Sequence, residues 1–294
     1  MEATIETTIK QDTGKFRKNT KDQFYTKVSI ATSCIQHIMT KLPYTTEYVW
    51  VEPSAGNGSF FHNIPATIER IGLDLEPMAN DIQKQDYLQW DLPHSLKNKN
   101  IIVIGNPPFG RQSSLAKSFI TKSCEFATII AFILPKSFTK PSMFRVFDTK
   151  FHQICSIELE KNAFVINGSP HDVPCVFQIW QKMDVNREID VKIMPLGFQY
   201  VKVSGSDSSI HKYHIAFRRV GGLAGKCYIY IPTENKFNIQ THYFIRFNDN
   251  VVPYMNRIIE KINSTIFPSN TVGPRSISKP EANAVINAII HELK

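Results

Sequence analysis

An open α/β sheet, mostly parallel and flanked by helices, is the fold class this chain predicts. Two observations carry it. Runs such as Ile101-Ile102-Val103-Ile104 and Ile129-Ile130-Ala131-Phe132-Ile133-Leu134 are short, rich in β-branched residues and apolar throughout, as strands buried on both faces are. These runs also stop abruptly at glycine, proline, an acid or an amide, and in an open sheet ligands gather at the carboxyl ends of the strands. The totals are compatible. The chain has 294 residues, 42% of them hydrophobic, enough for one large domain or two modest ones. Its 34 Lys and Arg against 26 Asp and Glu give a net charge of +8, which fits a polyanionic partner without requiring one. The five cysteines (Cys34, Cys124, Cys155, Cys175, Cys227) are scattered without zinc-ligand spacing. They are expected to be reduced thiols in a cytoplasmic compartment, with no metal site. No secretory signal and no membrane-length apolar run is read.

Residues 1–22 are polar and basic and are expected to form a flexible tail. Gln23-Phe24-Tyr25-Thr26 then leads into a helix with Ile30, Ile35, Ile38, Met39 and Leu42 at helical spacing, Thr26 or Ser29 being its expected cap. Tyr48-Val49-Trp50-Val51 reads as a first strand entering Glu52-Pro53-Ser54-Ala55-Gly56-Asn57-Gly58-Ser59-Phe60. The two glycines allow a tight turn and close approach to a ligand, but the spacing matches neither a dinucleotide fingerprint nor a phosphate loop. Ile71-Gly72-Leu73-Asp74-Leu75 places an acid at the end of a second strand, where a carboxylate can accept ribose hydroxyls. Gln85-Asp86-Tyr87-Leu88 adds an acid and an aromatic ring.

The strand at 101–104 ends in Gly105-Asn106-Pro107-Pro108-Phe109. Two prolines hold the turn rigid. Asn106 and the proline carbonyls offer acceptors, and Phe109 offers a flat apolar face, a combination suited to a planar substrate bearing an amino group. The loop with Arg111 and a helix follow. The next strand ends in Pro135-Lys136-Ser137-Phe138. Residues 151–159 and 173–181 read as an antiparallel edge hairpin, whose loop carries Phe164, Asn167, Gly168 and His171.

A boundary is expected between 183 and 184. Beyond it, 189–194, 214–220 and 227–231 read as strands, 257–262 as part of a helix, and Ser278-Lys279-Pro280-Glu281 as a capping box. The final helix should bury Ala284, Val285, Ala288 and Ile289. The basic, glycine-rich stretch with Arg218, Arg219 and Lys226 suits a phosphate backbone or is a plain hairpin turn; the residues alone favour neither.

From Gln23 to Lys182 the order of these motifs resembles the S-adenosylmethionine-dependent N6-adenine nucleic-acid methyltransferases. The shared features are Asp-Gln-Phe-Tyr-Thr, Glu-Pro-x-Ala-Gly-x-Gly-x-Phe, the acid after the second strand, and Asn-Pro-Pro-Phe. The resemblance implies a Rossmann-like class I methyltransferase with a seven-stranded, mostly parallel sheet and a small C-terminal α+β region for target recognition. It implies cofactor contacts at Phe24, Tyr25, Thr26, Glu52, Pro53, Ala55, Gly56, Gly58, Phe60, Asp74, Leu75, Asp86 and Tyr87. It makes Asn106, Pro107, Pro108 and Phe109 the catalytic set. Arg111, Lys136, Phe164, Arg218, Arg219 and Lys226 become candidates for substrate contact, with DNA favoured over RNA. Asn106 and the Pro107 carbonyl would draw the exocyclic amine toward tetrahedral geometry. Three alternatives stay open: N4-cytosine methylation, whose enzymes usually carry Ser where Asn106 stands, a protein-glutamine N5 methyltransferase, and an inactive nucleic-acid-binding subunit. Pro174-Cys175 matches the cytosine-C5 nucleophile dipeptide, but its place in an apolar run marks Cys175 as core.

Overall fold

A computed structural model describes residues 24–166, 168–189, 193–203, 213–231 and 237–293. The expected tail at 1–22 and Asn167 lie outside the described residues. The chain divides into two compact units, one ending at Ile189 and one beginning at Asp190.

The first unit is built on β2 (Val49–Glu52), β3 (Arg70–Asp74), β4 (Gln83–Lys84), β5 (Ile101–Gly105), β6 (Ile129–Pro135), β7 (Phe151–Glu158) and β10 (Cys175–Lys182). They form a seven-stranded sheet in the order β4-β3-β2-β5-β6-β10-β7. β4, β3, β2, β5 and β6 run parallel, and β10 is antiparallel to both neighbours. This is the Rossmann-like sheet of class I methyltransferases, with the expected antiparallel edge. All residues of β5 and β6 are buried, which explains why neither strand alternates in polarity.

Helix α1 (Val28–Lys41) buries Ile30, Ala31, Cys34, Ile35 and Ile38, but its N-cap is Lys27, and neither expected cap residue performs that role. Lys27 instead donates its backbone N–H to the Ala163 carbonyl at 3.0 Å, because the segment before it is a strand. That strand, β1 (Tyr25–Thr26), joins β8 (Phe164–Ile166) and β9 (Ser169–His171) in a small sheet ordered β1-β8-β9. α2 (Ser114–Cys124) follows β5, and the single turn α3 (Pro141–Phe144) follows β6. The first unit extends past Met183 because Arg187 holds the chain to it. The Arg187 guanidinium donates to the carbonyls of Phe144, Phe147, Asp148 and Phe151.

The second unit contains β11 (Phe198–Val201), β12 (Ile215–Arg218), β13 (Cys227–Ile229), β14 (His242–Phe247), α4 (Met255–Ser264) and α5 (Lys279–Leu293). Its antiparallel sheet has the order β11-β14-β12-β13. Phe217, Ile245, Phe247, Ile258 and Ile286 meet in its core. The strand expected at 189–194 is not formed among the described residues of that stretch; pairing with β14 begins at Phe198. The Ser278 capping box forms, with the Ser278 N–H and hydroxyl both donating to Glu281 Oε2 at 2.7 Å. The buried stripe of α5 is Ala282, Asn283, Ile286, Ile289 and Ile290, whereas Ala284 and Ala288 face solvent. Asn283 turns inward because it is bonded there: Tyr200 donates its hydroxyl to Oδ1 at 2.6 Å, and Nδ2 donates to the Ile193 carbonyl at 2.7 Å.

Candidate active site

The carboxyl ends of β2, β3 and β5 open into a cavity of about 490 Å³. Glu52, the last residue of β2, is 2% exposed. Its Oε2 accepts the Phe61 N–H at 2.7 Å. Burial pushes the Glu52 carboxyl well above the usual carboxylate range; the Phe61 hydrogen bond opposes this, and the Asp74 charge adds to it. A cationic group arriving in the cavity would reverse that balance.

The glycine loop follows. Gly56 and Gly58 have φ of +52° and +79°, and a Cβ on Gly58 would lie 2.3 Å from His62 Nδ1. Asp74 fastens the loop: Gly56 N–H donates to Oδ2 at 2.7 Å and Glu76 N–H to Oδ1 at 2.8 Å. Each carboxylate oxygen keeps a further lone pair for a ligand. Asp86 lines the cavity and accepts the Leu88 N–H at 2.9 Å. Pro53, Ala55, Phe60 and Leu75 also line it, Leu75 being 62% exposed. Tyr87 reaches the wall but belongs to the core. It is 2% exposed, with its hydroxyl 2.7 Å from Ser123 Oγ and its ring 5.2 Å from Phe119.

Asn106 stands where β5 ends. Its Nδ2 donates to the Phe24 carbonyl at 2.9 Å, while its buried Oδ1 has no partner among the described residues. Ser54 Oγ donates to the Asn106 carbonyl at 3.1 Å and ties the glycine loop to this turn. Pro107 is buried, Pro108 lines the cavity, and Phe109 is 8% exposed. Phe24, Tyr25 and Thr26 form another part of the wall, and the Thr26 carbonyl accepts the Ser59 hydroxyl at 2.7 Å. Ser54, Ser59, Leu115 and Phe119 were not singled out from sequence; their place beside the glycine loop and in the helix after Phe109 was the available signal.

The residues expected to contact substrate lie in different surroundings. Phe164 is 0% exposed and presents no face to an incoming base; it is packing for Phe24. Lys136 Nζ is paired with Glu158 Oε1 at 2.8 Å. Arg111 is exposed, in a turn where Gly110, Gln112 and Ser113 all have positive φ. In the second unit, Arg218 Nε donates to the Val220 carbonyl at 2.9 Å and the Arg219 guanidinium to the Gln240 carbonyl at 2.9 Å. Lys226 donates to the Asn263 carbonyl. The glycine-rich stretch is thus a turn fastened by its own cations, with the Arg219 guanidinium also 5.3 Å from the Tyr243 ring centre.

Cys175 is buried in β10, and burial raises its thiol well above the ordinary value, so no nucleophilic thiolate is available there. Among the described residues no cluster of His, Cys, Asp and Glu is arranged to hold a metal ion, and no helix is long and apolar enough to cross a membrane.

No family model and no curated protein matches the chain. Solved structures overlap part of it. A candidate RNA methyltransferase of Pyrococcus horikoshii aligns at 16% identity and a TM-score of 0.44, over 56% of this chain and 90% of its own. The methyltransferase subunit of a type I restriction-modification system from Streptococcus thermophilus aligns at 18% and 0.42, over 54% of this chain and only 44% of its own. The magnesium protoporphyrin IX methyltransferase of Synechocystis, with S-adenosylmethionine bound, aligns at 10% and 0.38, over 53% of this chain and 79% of its own. At such scores the fold assignment rests on the strand order described above.

Proposed function

We propose that this chain is an S-adenosylmethionine-dependent methyltransferase that acts on the exocyclic N6 amine of adenine in nucleic acid, with DNA favoured over RNA. One observation carries the reading: Asn106 Oδ1, a buried acceptor without a partner among the described residues, at the edge of a cavity floored by a glycine turn. Leaving a buried acceptor unpaired costs about 1–3 kcal/mol, so the arrangement favours a ligand that donates there.

The residues present fit the cofactor. Glu52, its charge uncompensated by any cation in this cavity wall, matches the ammonium of a methionine moiety. The turn at Gly56 and Gly58 admits close backbone approach, and the free lone pairs of Asp74 and Asp86 suit ribose hydroxyls and an adenine amine. When bound, S-adenosylmethionine supplies an electrophilic methyl group on a sulfonium. The chain's own part is orientation. The Asn106 side-chain oxygen and the Pro107 carbonyl accept the two N–H bonds of the target amine, whose lone pair is otherwise delocalised into the ring. Holding both hydrogens draws the nitrogen toward tetrahedral geometry and aims its lone pair. Acceptors fixed by Pro107 and Pro108 need no rearrangement as charge develops. A base in a duplex must be flipped out to reach this depth. Nucleic acid is further supported by charge: residues 190–294 hold 13 Lys and Arg against 7 Asp and Glu, a net +6 of the chain's +8.

The test is transfer of tritiated methyl groups onto DNA, RNA and protein pools, followed by digestion. N6-methyladenine is the expected product. Label in glutamine would favour the protein-amide alternative, and no label in any pool would overturn the reading.

A further inference from the structure

Resting on that reading, we propose that the target ring binds in a slot walled by Phe109 and His171, and that Phe24 fills this slot until the target enters. Three independent features converge on it.

The first is register. In the small sheet Thr26 lies opposite Phe164, and Phe164 opposite His171. Directly paired residues share a face, so these three side chains stand in a row, and Phe24, two residues before Thr26, belongs to that face.

The second is stacking. The Phe24 ring is 6.2 Å from Phe109 with planes 24° apart, and 5.4 Å from His171 with planes 29° apart. Phe164 meets its edge at 6.2 Å and 64°. Phe24 is thus a six-membered ring stacked near-parallel with both Phe109 and His171. It lines the cavity, whereas Phe109 and His171 do not.

The third is polarity. Asn106 Oδ1, Thr26 Oγ1 and His171 Nε2 are all buried without a partner among the described residues. They belong to the residues around the Phe24 segment, yet a phenyl ring can bond with none of them. An amino-substituted heteroaromatic ring can reach two of them, its amine donating to Asn106 and a ring nitrogen accepting the Thr26 hydroxyl, while it stacks on the His171 imidazole as Phe24 does. The Asn106 amide donates to the Phe24 backbone carbonyl, a bond that a swing of the Phe24 ring alone leaves in place. His171 thereby becomes a residue that stacks on the target ring, the contact expected of Phe164.

The experiment uses the full chain saturated with S-adenosylhomocysteine, and a single-stranded oligonucleotide carrying 2-aminopurine, whose emission is quenched by stacking. A competing internal ring lowers apparent affinity by the fraction of open protein, so Phe24→Ala should bind the probe about tenfold more tightly and quench it more deeply than wild type. Phe24→Leu, which keeps apolar volume but no planar face, should give a smaller gain with an unchanged melting temperature. Adding His171→Ala to either variant should abolish the gain and the quench. Equal or weaker binding by a stably folded Phe24→Leu, or gain and quench that survive His171→Ala, overturns the slot. Methyl transfer is read on the same samples. Binding as described without transfer in any form leaves the slot standing and overturns the catalytic reading. Transfer indifferent to both Phe24 and His171 does the reverse.

Discussion

The two units differ in where their unsatisfied polar groups lie. In the first, polar atoms around the cavity are left waiting: Asn106 Oδ1 and Thr26 Oγ1 are buried without partners among the described residues, and Glu52 is buried with a backbone donor from Phe61. In the second, the cations of the glycine-rich turn are occupied by the unit's own carbonyls. A buried unpaired group costs stability and is kept where a ligand completes it, whereas an exposed cation can brace a turn and still attract a distant phosphate. Unpaired buried atoms also occur in the second unit, at Tyr230 Oη and Asn270 Oδ1, so what sets the first unit apart is that Asn106 and Thr26 bring theirs to one cavity.

The sharpest way to break this comparison is Asn106→Ala. Methyl transfer should fall about 10³-fold, in line with loss of one preorganised polar group in an active site, while calorimetric cofactor affinity stays within about twofold. Retained turnover would remove the first unit's claim to chemistry.

Ile286→Ala, in the core of the second unit, should cost about 2–5 kcal/mol in denaturant unfolding. Nucleic-acid binding should weaken with it and cofactor binding should not. Parallel loss of both would show that the units do not divide the work.

Glu52→Gln tests the buried acid. A carboxyl whose folded-state pKa is raised binds its proton more tightly folded than unfolded. It adds no penalty below the unfolded value near 4.5 and erodes stability as pH rises from there through the raised folded value. The variant should therefore melt higher than wild type at neutral pH without cofactor, show a flatter pH profile above pH 4.5, and bind S-adenosylmethionine more weakly. A cofactor affinity unchanged by the substitution would deny Glu52 its partner.

The smallest effect is expected of Arg218→Ala with Arg219→Ala. Each phosphate contact contributes about −0.9 to the slope of log affinity against log salt, so the pair should flatten that slope by about 1–2. A slope that does not move would reduce these arginines to braces of the turn.

Much of the first unit was legible because its signals are local. β5 and β6 announce themselves as unbroken apolar runs, and Gly56, Gly58 and Pro107 each force a backbone conformation whatever surrounds them. The second unit was read less well. β14 was not anticipated, since both of its faces carry buried residues, His242 and Phe244 on one and Ile245 and Phe247 near the other, and alternation is lost. The phase of α5 was misread because Asn283, a polar residue, belongs to its buried stripe. Aromatic exposure was the weakest point: Tyr87 and Phe164 are core, and nothing in their immediate sequence says so.

By itself the sequence determined the α/β plan and the order of turns along the sheet's ligand end, because turn geometry and the inventory of donors and acceptors belong to each residue. Tertiary structure alone decided which rings and which polar atoms remain unsatisfied. That depends on β1 pairing with β8, segments far apart in the chain, and burial is a property of such meetings rather than of either partner.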